Sequence, residues 1–122
     1  WIFTMRFLLI ASFAIMSCLP KPGSTQASCG GTSSMDATNC ASAQWQRADA
    51  ELNQLWSQLK PQADTDGTGS VLLGEQRQWL KRRDETCEQE LGHGGSLDQA
   101  IYYNCMRDMT LQRSADFRAM LH

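Results

Sequence analysis

The chain has 122 residues, with 11 Lys and Arg against 13 Asp and Glu, for a net charge of −2 at pH 7. That balance excludes binding nucleic acid through a basic patch. The one basic cluster, Lys81-Arg82-Arg83, sits beside Asp84, Glu85, Glu88 and Glu90. Five Cys and two His, with no CxxC pair, suit an exported disulfide framework better than a metal site.

Residues 1–4 precede Met5 and read as an upstream extension of the start. A single Arg6, an apolar run from Phe7 to Ile15 and then small polar residues make a secretory signal peptide. The apolar run is shorter than the ~20 residues that span a bilayer, so no membrane span is expected. Thr25-Gln26-Ala27 places small residues where the protease reads, and cleavage is expected near Ala27. The alternative is lipoprotein processing at Cys18, but a lipobox takes a smaller residue than Met16 before Ser17, so a lipid anchor is not expected. Cleavage removes 27 of the 122 residues and leaves one domain, 28–122. That domain keeps nine basic against thirteen acidic residues, a charge of about −4. Its core is small enough to benefit from covalent staples.

A Gly/Ser/Thr-rich lead-in runs to Thr38, with Asp36 or Thr38 placed to cap the first helix. From 39 to 60, Ala41, Trp45, Ala48, Leu52, Leu55 and Leu59 alternate spacings of four and three, one stripe of a helix that Trp56 widens. Pro61 and the polar run after it are expected to end that helix. A second helix is predicted over about 73–91, with Trp79, Leu80, Cys87 and Leu91 inward, stopped by Gly92-His93-Gly94-Gly95. Ser96-Leu97-Asp98-Gln99 reads as a capping box, with Ser96 as N-cap. A third helix runs to about Leu121, its inward row being Leu97, Ile101, Cys105, Met109, Phe117 and Leu121. No strand pattern appears. The expected fold is all-α, three helices in antiparallel succession forming a disulfide-stapled bundle.

That topology gathers Cys29, Cys40, Cys87 and Cys105 at one end and does not by itself select among three connectivities. Cys29–Cys40 with Cys87–Cys105 is favoured because each closes a short loop. None of the four has the basic or redox-motif surroundings of a reactive thiol. Asp49 and Asn53 share one face of the first helix, beside its apolar stripe. Arg83-Asp84 and Arg113 fall at comparable edges of the other two. A partly buried Arg needs an acidic partner, so a structural network pairing Arg83 or Arg113 with Asp49 is expected. Trp79 and Arg83 are four apart and spaced to stack.

Residues 64–75 match much of an EF-hand loop, with Asp64 first, Asp66 third, Thr68 fifth and Glu75 twelfth. Thr68 is a poor fifth ligand and Pro61 lies close to the loop. A solvated connector is therefore the expected state, and calcium through Asp64, Asp66, Thr68 and Glu75 the alternative. No GxSxG or HExxH is present, and His93 has no nucleophile beside it, so neither catalysis nor a cofactor is expected.

The ordered set Cys29; Cys40, Trp45, Asp49, Leu52, Asn53; Gln76, Trp79, Arg83, Asp84, Cys87; Gly94-Gly95-Ser96; Cys105, Thr110, Arg113 resembles the lysozyme-inhibitor LprI N-terminal domain family over nearly the whole exported chain. The chain departs from it at Trp56, where Tyr is more usual, and before Cys40, where the Thr-Gln-x-Glu-Met-Asn run is missing. The resemblance implies a helical, disulfide-stapled protein of the bacterial periplasm, or a secreted one, and for LprI-type members inhibition of lysozyme. Animal-type lysozymes are cationic, the kind of protein partner an acidic exported domain attracts. The expected mechanism is occlusion of the substrate cleft by a projecting loop, 92–96 or 64–74, with His93 and Ser96 as contacts and Glu85, Glu88, Glu90 and Asp98 steering the encounter. The alternative is an envelope stress or assembly protein with no lysozyme target.

Overall fold

The computed structural model describes residues 29–122; the leader, cleavage near Ala27 and Cys18 lie outside the described residues. Three helices follow in order: α1 (Ser34–Thr65), α2 (Gly69–Glu88) and α3 (Asp98–Met120), with a short 3₁₀ turn, Gln89–Gly92, after α2. Trp45 meets Tyr103, Trp56 meets Phe117, and Gln62 reaches the Met120 carbonyl, so α1 and α3 run side by side in the same direction. Helix α2 runs back the other way and packs against both, its Arg83 reaching Asp49 on α1 and Thr110 on α3. No strand occurs among the described residues.

Helix α1 is longer than its hydrophobic stripe suggests at both ends. Ser33, not Asp36 or Thr38, is the N-cap. Its hydroxyl accepts from the Asp36 amide at 3.0 Å, while the Asp36 carboxylate accepts from the Ser33 amide at 3.2 Å. This reciprocal box satisfies two donors that the first turn leaves open. At the other end the helix continues through Pro61. The last turn is held by tertiary packing: Leu59 and Ala63 are buried, and Gln62 bonds the last residue of α3 and His122 beyond it. The helix ends instead at Thr65, turned by Gly67 just beyond its C-cap. Gly67 sits at φ +79°, a left-handed conformation glycine adopts at little cost. Thr68 N–H then bonds the Ala63 carbonyl at 2.8 Å and Gly67 N–H bonds Asp64 at 3.2 Å, the pairing of a Schellman stop.

The core consists of Leu52, Leu59, Ala63, Leu72, Trp79 and Phe117, with Leu55, Trp56, Leu80, Met109 and Leu121 packed around it. The α1 stripe is buried where its spacing predicts, at Ala41, Ala48, Leu52 and Leu59. Helix α3 differs. Its buried face is Ala100, Met106, Thr110, Arg113, Ser114 and Phe117, whereas Leu97 and Ile101 from the expected row are 48% and 44% exposed. The physical reason is that half of the buried face is polar, so a hydrophobic count places the stripe too far round the helix. Leu91, expected inward, is likewise exposed because α2 ends at Glu88 and gives way to the 3₁₀ turn.

The structure pairs Cys29 with Cys40 and Cys87 with Cys105, with Cα atoms 5.2 and 5.6 Å apart. The second bridge joins the last turn of α2 to α3, and Cys87 is fully buried. The first ties the lead-in to the second turn of α1.

Candidate functional site

Two regions collect the residues singled out from the sequence. The first is a polar seam where the three helices meet. Arg83 from α2 is its centre, with a side chain only 8% exposed. Its guanidinium donates to Thr110 on α3 at 3.4 Å and lies 3.6 Å from Asp49 on α1 and 2.9 Å from Asp84. Asn53 Nδ2 donates to Asp49 at 3.3 Å. One turn along, Arg113 Nε donates to Gln76 at 2.9 Å, and Asp116 lies 3.9 Å away. Both guanidinium groups lie over the Trp79 ring, Arg83 at 5.2 Å and Arg113 at 5.9 Å, and Arg113 also covers the Phe117 ring at 4.8 Å. Such stacking contributes ~1–2 kcal/mol when desolvated.

Burial pulls the Arg113 pKa below its ordinary value, and nearby Asp116 and Glu75 pull it part of the way back. An arginine keeps its charge through such a shift, so the seam holds two permanent cations against the carboxylates of Asp49, Asp84 and Asp116. Asp49, Asn53, Gln76, Trp79, Arg83, Asp84, Thr110 and Arg113 are therefore brought together. Leu52 lies in the core, and Trp45 stacks on Tyr103 at 5.7 Å. Beside the seam, Asp49, Leu52, Asn53, Trp56, Leu73, Gln76, Arg77 and Leu80 line an open groove of about 270 Å³ between α1 and α2.

The second region is the disulfide end. The loop 92–96 projects here, with His93 and Ser96 both exposed. Ser96 is not the N-cap. That position belongs to Leu97, and no side chain caps α3. The Asp98 carboxylate folds back instead and accepts from the amides of His93 at 3.1 Å and Gly95 at 3.2 Å. A carboxylate in the first turn also suits the positive end of the helix. Gly94, at φ +74°, makes the reversal. His93 Nε2 lies 3.7 Å from Glu90.

Gln44 and Arg107 are contacts the sequence did not disclose. Gln44 Nε2 donates toward the sulfurs of Cys29 and Cys40 at 3.3 and 3.4 Å, and its carbonyl oxygen accepts from Arg107. This couples the first bridge to α3. The one signal for it is Gln44 lying four residues after Cys40 on the same helical face. Tyr102, also missed, packs edge-on to Tyr103 at 5.2 Å. Burial raises its pKa, with Asp84 adding to the rise.

Residues 64–75 do not form a twelve-residue loop of the EF-hand kind. Asp64 belongs to α1 and pairs with Lys60 at 2.6 Å, while residues 69–75 are already in α2. Asp66, Gly67 and Thr68 alone remain between the helices, too few to wrap a cation. For the same reason, 64–74 is not a projecting loop. Among the described residues no group of three or more His, Cys, Asp or Glu is arranged to hold a metal.

Fold and sites together define a small helical domain, closed at one end by two disulfides, whose two buried arginines lie against half-exposed carboxylates. Residues 25–117 match the family model described as Lysozyme inhibitor LprI, and the chain belongs to that family. It is also similar, at 28% identity over 116 residues covering 84% of this chain and 81% of the relative, to the uncharacterized protein R02472 of Rhizobium meliloti (strain 1021). No solved structure matches.

Proposed function

We propose that this protein is an exported inhibitor of lysozyme, acting by binding and occlusion rather than by catalysis. The match to the LprI lysozyme inhibitor family over 25–117 carries this reading. Two disulfides support an oxidising compartment, the periplasm or the exterior, reached after cleavage near Ala27. No helix of the described residues is long and apolar enough to cross a membrane.

The plug is the loop 92–96. Its backbone is held by Asp98, and the Cys87–Cys105 bridge joins the helices on either side of it. A loop held in this way loses little entropy on entering a cleft. His93 and Ser96 present a basic or neutral donor and a hydroxyl, groups suited to the paired carboxylates of a glycosidase cleft. Glu85, Glu88, Glu90 and Asp98 steer a cationic enzyme toward it.

The test is peptidoglycan hydrolysis by a cationic animal-type lysozyme, with and without the full chain expressed for export and purified oxidised, at low and physiological salt. Stoichiometric inhibition weakened by salt is the expected outcome. No inhibition at micromolar excess would sink the reading. Unchanged inhibition by a His93→Ala, Ser96→Ala double variant would remove the loop from the mechanism and leave inhibition standing.

A further inference from the structure

Charge and apolar exposure are distributed unevenly along the bundle. Across residues 29–46 and 85–106, which form the disulfide end, there are five carboxylates and no Lys or Arg. The rest of the described chain carries nine Lys and Arg against eight carboxylates. Among the described residues, Asp36, Glu88 and Asp98 have no basic group within 4.0 Å, and Glu90 has only His93. Asp36 and Asp98 accept hydrogen bonds from local backbone but keep their charge. Arg107, the first arginine after residue 106 in the chain, is bound to Asp108 and Gln44.

The same end exposes large apolar side chains. Met35 is 72% exposed, and Leu91, Leu97 and Ile101 are each more than 40% exposed. Leu97 and Ile101 lie one turn apart, linked by the Ile101 N–H to Leu97 carbonyl bond. Met35 and Ser96 line one shallow depression, and Leu91 belongs to the turn that leads into the loop. Scattered surface apolar residues are ordinary in a monomer, but several gathered at one end beside a projecting loop mark an interaction surface. An apolar centre with a charged rim is the anatomy of a protein interface.

We infer that the disulfide end is the docking face, and that Met35, Leu91, Leu97 and Ile101 form an apolar collar around the loop 92–96, inside an acidic rim that selects a cationic protein. This rests on the proposed function and deepens it by assigning the surface that makes contact. A second copy of this chain is a poor occupant, because a two-fold contact would bring the unpaired carboxylates of both copies together.

The test is binding of the exported, oxidised full chain to the same cationic lysozyme by calorimetry and by association kinetics. Leu97→Asp with Ile101→Asp is expected to weaken binding at least about tenfold, mostly through faster dissociation. Glu88→Lys with Glu90→Lys is expected to slow association several-fold and flatten its salt dependence. Val71→Asp with Met120→Asp, also exposed but at the opposite end, is expected to stay within about twofold of the parent. Helical circular dichroism and thermal midpoint confirm that each variant folds. If the parent binds and both disulfide-end variants bind as well as it does, the docking face is wrong while the proposed function stands. If the parent does not bind, the proposed function falls and the docking face with it. Self-association of the parent, lost in the Leu97→Asp, Ile101→Asp variant, would reassign the face to a second copy.

Discussion

The polar seam and the disulfide end use charge in opposite ways. In the seam, Arg83 and Arg113 are almost wholly buried, and their partners Asp49, Asp84, Gln76 and Thr110 come from all three helices. At the disulfide end, Asp36 and Glu88 face solvent and Asp98 is half-buried, none with a basic group within 4.0 Å among the described residues, beside apolar side chains that those residues leave exposed. A buried charge is retained where its partners hold it, and its loss disturbs the whole bundle. An exposed unpaired charge contributes little to stability and leaves its field available to another molecule. Residues of one chemical type therefore serve architecture in one place and encounter in the other.

Substitutions that separate these roles give the sharpest tests. Arg113→Ala removes a side chain stacked on both Trp79 and Phe117 and leaves Gln76 unpaired. It is expected to cost about 3 kcal/mol, measured by urea unfolding. Arg113→Lys keeps the charge but not the planar stack, and should recover only part of that loss. A cost near zero for Arg113→Ala would mean that the seam does not hold the helices.

The two bridges should differ as well. Cys87→Ser with Cys105→Ser opens an 18-residue separation between two helices and is expected to cost about 3 kcal/mol. Cys29→Ser with Cys40→Ser frees only the lead-in before α1, and about 1 kcal/mol is expected, at the low end for a disulfide. Equal losses in the two thermal midpoints would show that the lead-in, through Gln44 and Arg107, supports the bundle more than its position suggests. Leu97→Asp with Ile101→Asp, by contrast, should shift stability by no more than about 0.5 kcal/mol, since both side chains already meet water. A larger loss would place them in the core and remove them from any docking face.

The smallest effect concerns Asp36. The Ser33 hydroxyl and backbone hold its carboxyl below its ordinary pKa. The folded group thus ionises at lower pH than the unfolded one. Its contribution is fully present above the ordinary carboxylate range and disappears as pH falls through the depressed value. Protection factors of the amides in the first turn of α1, taken against intrinsic exchange at each pH, should therefore fall on acidification, and Asp36→Asn should remove most of that pH response. An unchanged response in Asp36→Asn would assign the titration to another group.

Legibility from sequence varies by element, for physical reasons. The α1 stripe is readable because its inward residues are apolar throughout, from Ala41 to Leu59. The α3 face is not, because Thr110, Arg113 and Ser114 lie inside, where a hydropathy pattern expects Leu97 and Ile101. Pro61 reads as a stop from its local cost, although Leu59, Gln62 and Ala63 hold the turns around it by contacts elsewhere in the bundle. Gly67 carries a stop signal of its own, masked by the acidic loop pattern around it. That Asp49 meets a buried arginine is legible, because a buried guanidinium requires a partner; that the arginine is Arg83 and not Arg113 is not legible.

The sequence by itself determined that three helices form, roughly where they lie, and that four cysteines meet at one end, because periodicity, glycine turns and topology are properties of the chain. Only the tertiary structure decided which face of α3 is buried, that α1 runs on through Pro61, and that unpaired carboxylates share an end with uncovered leucines. Each of those outcomes depends on what a distant segment brings into contact, and no local pattern encodes it.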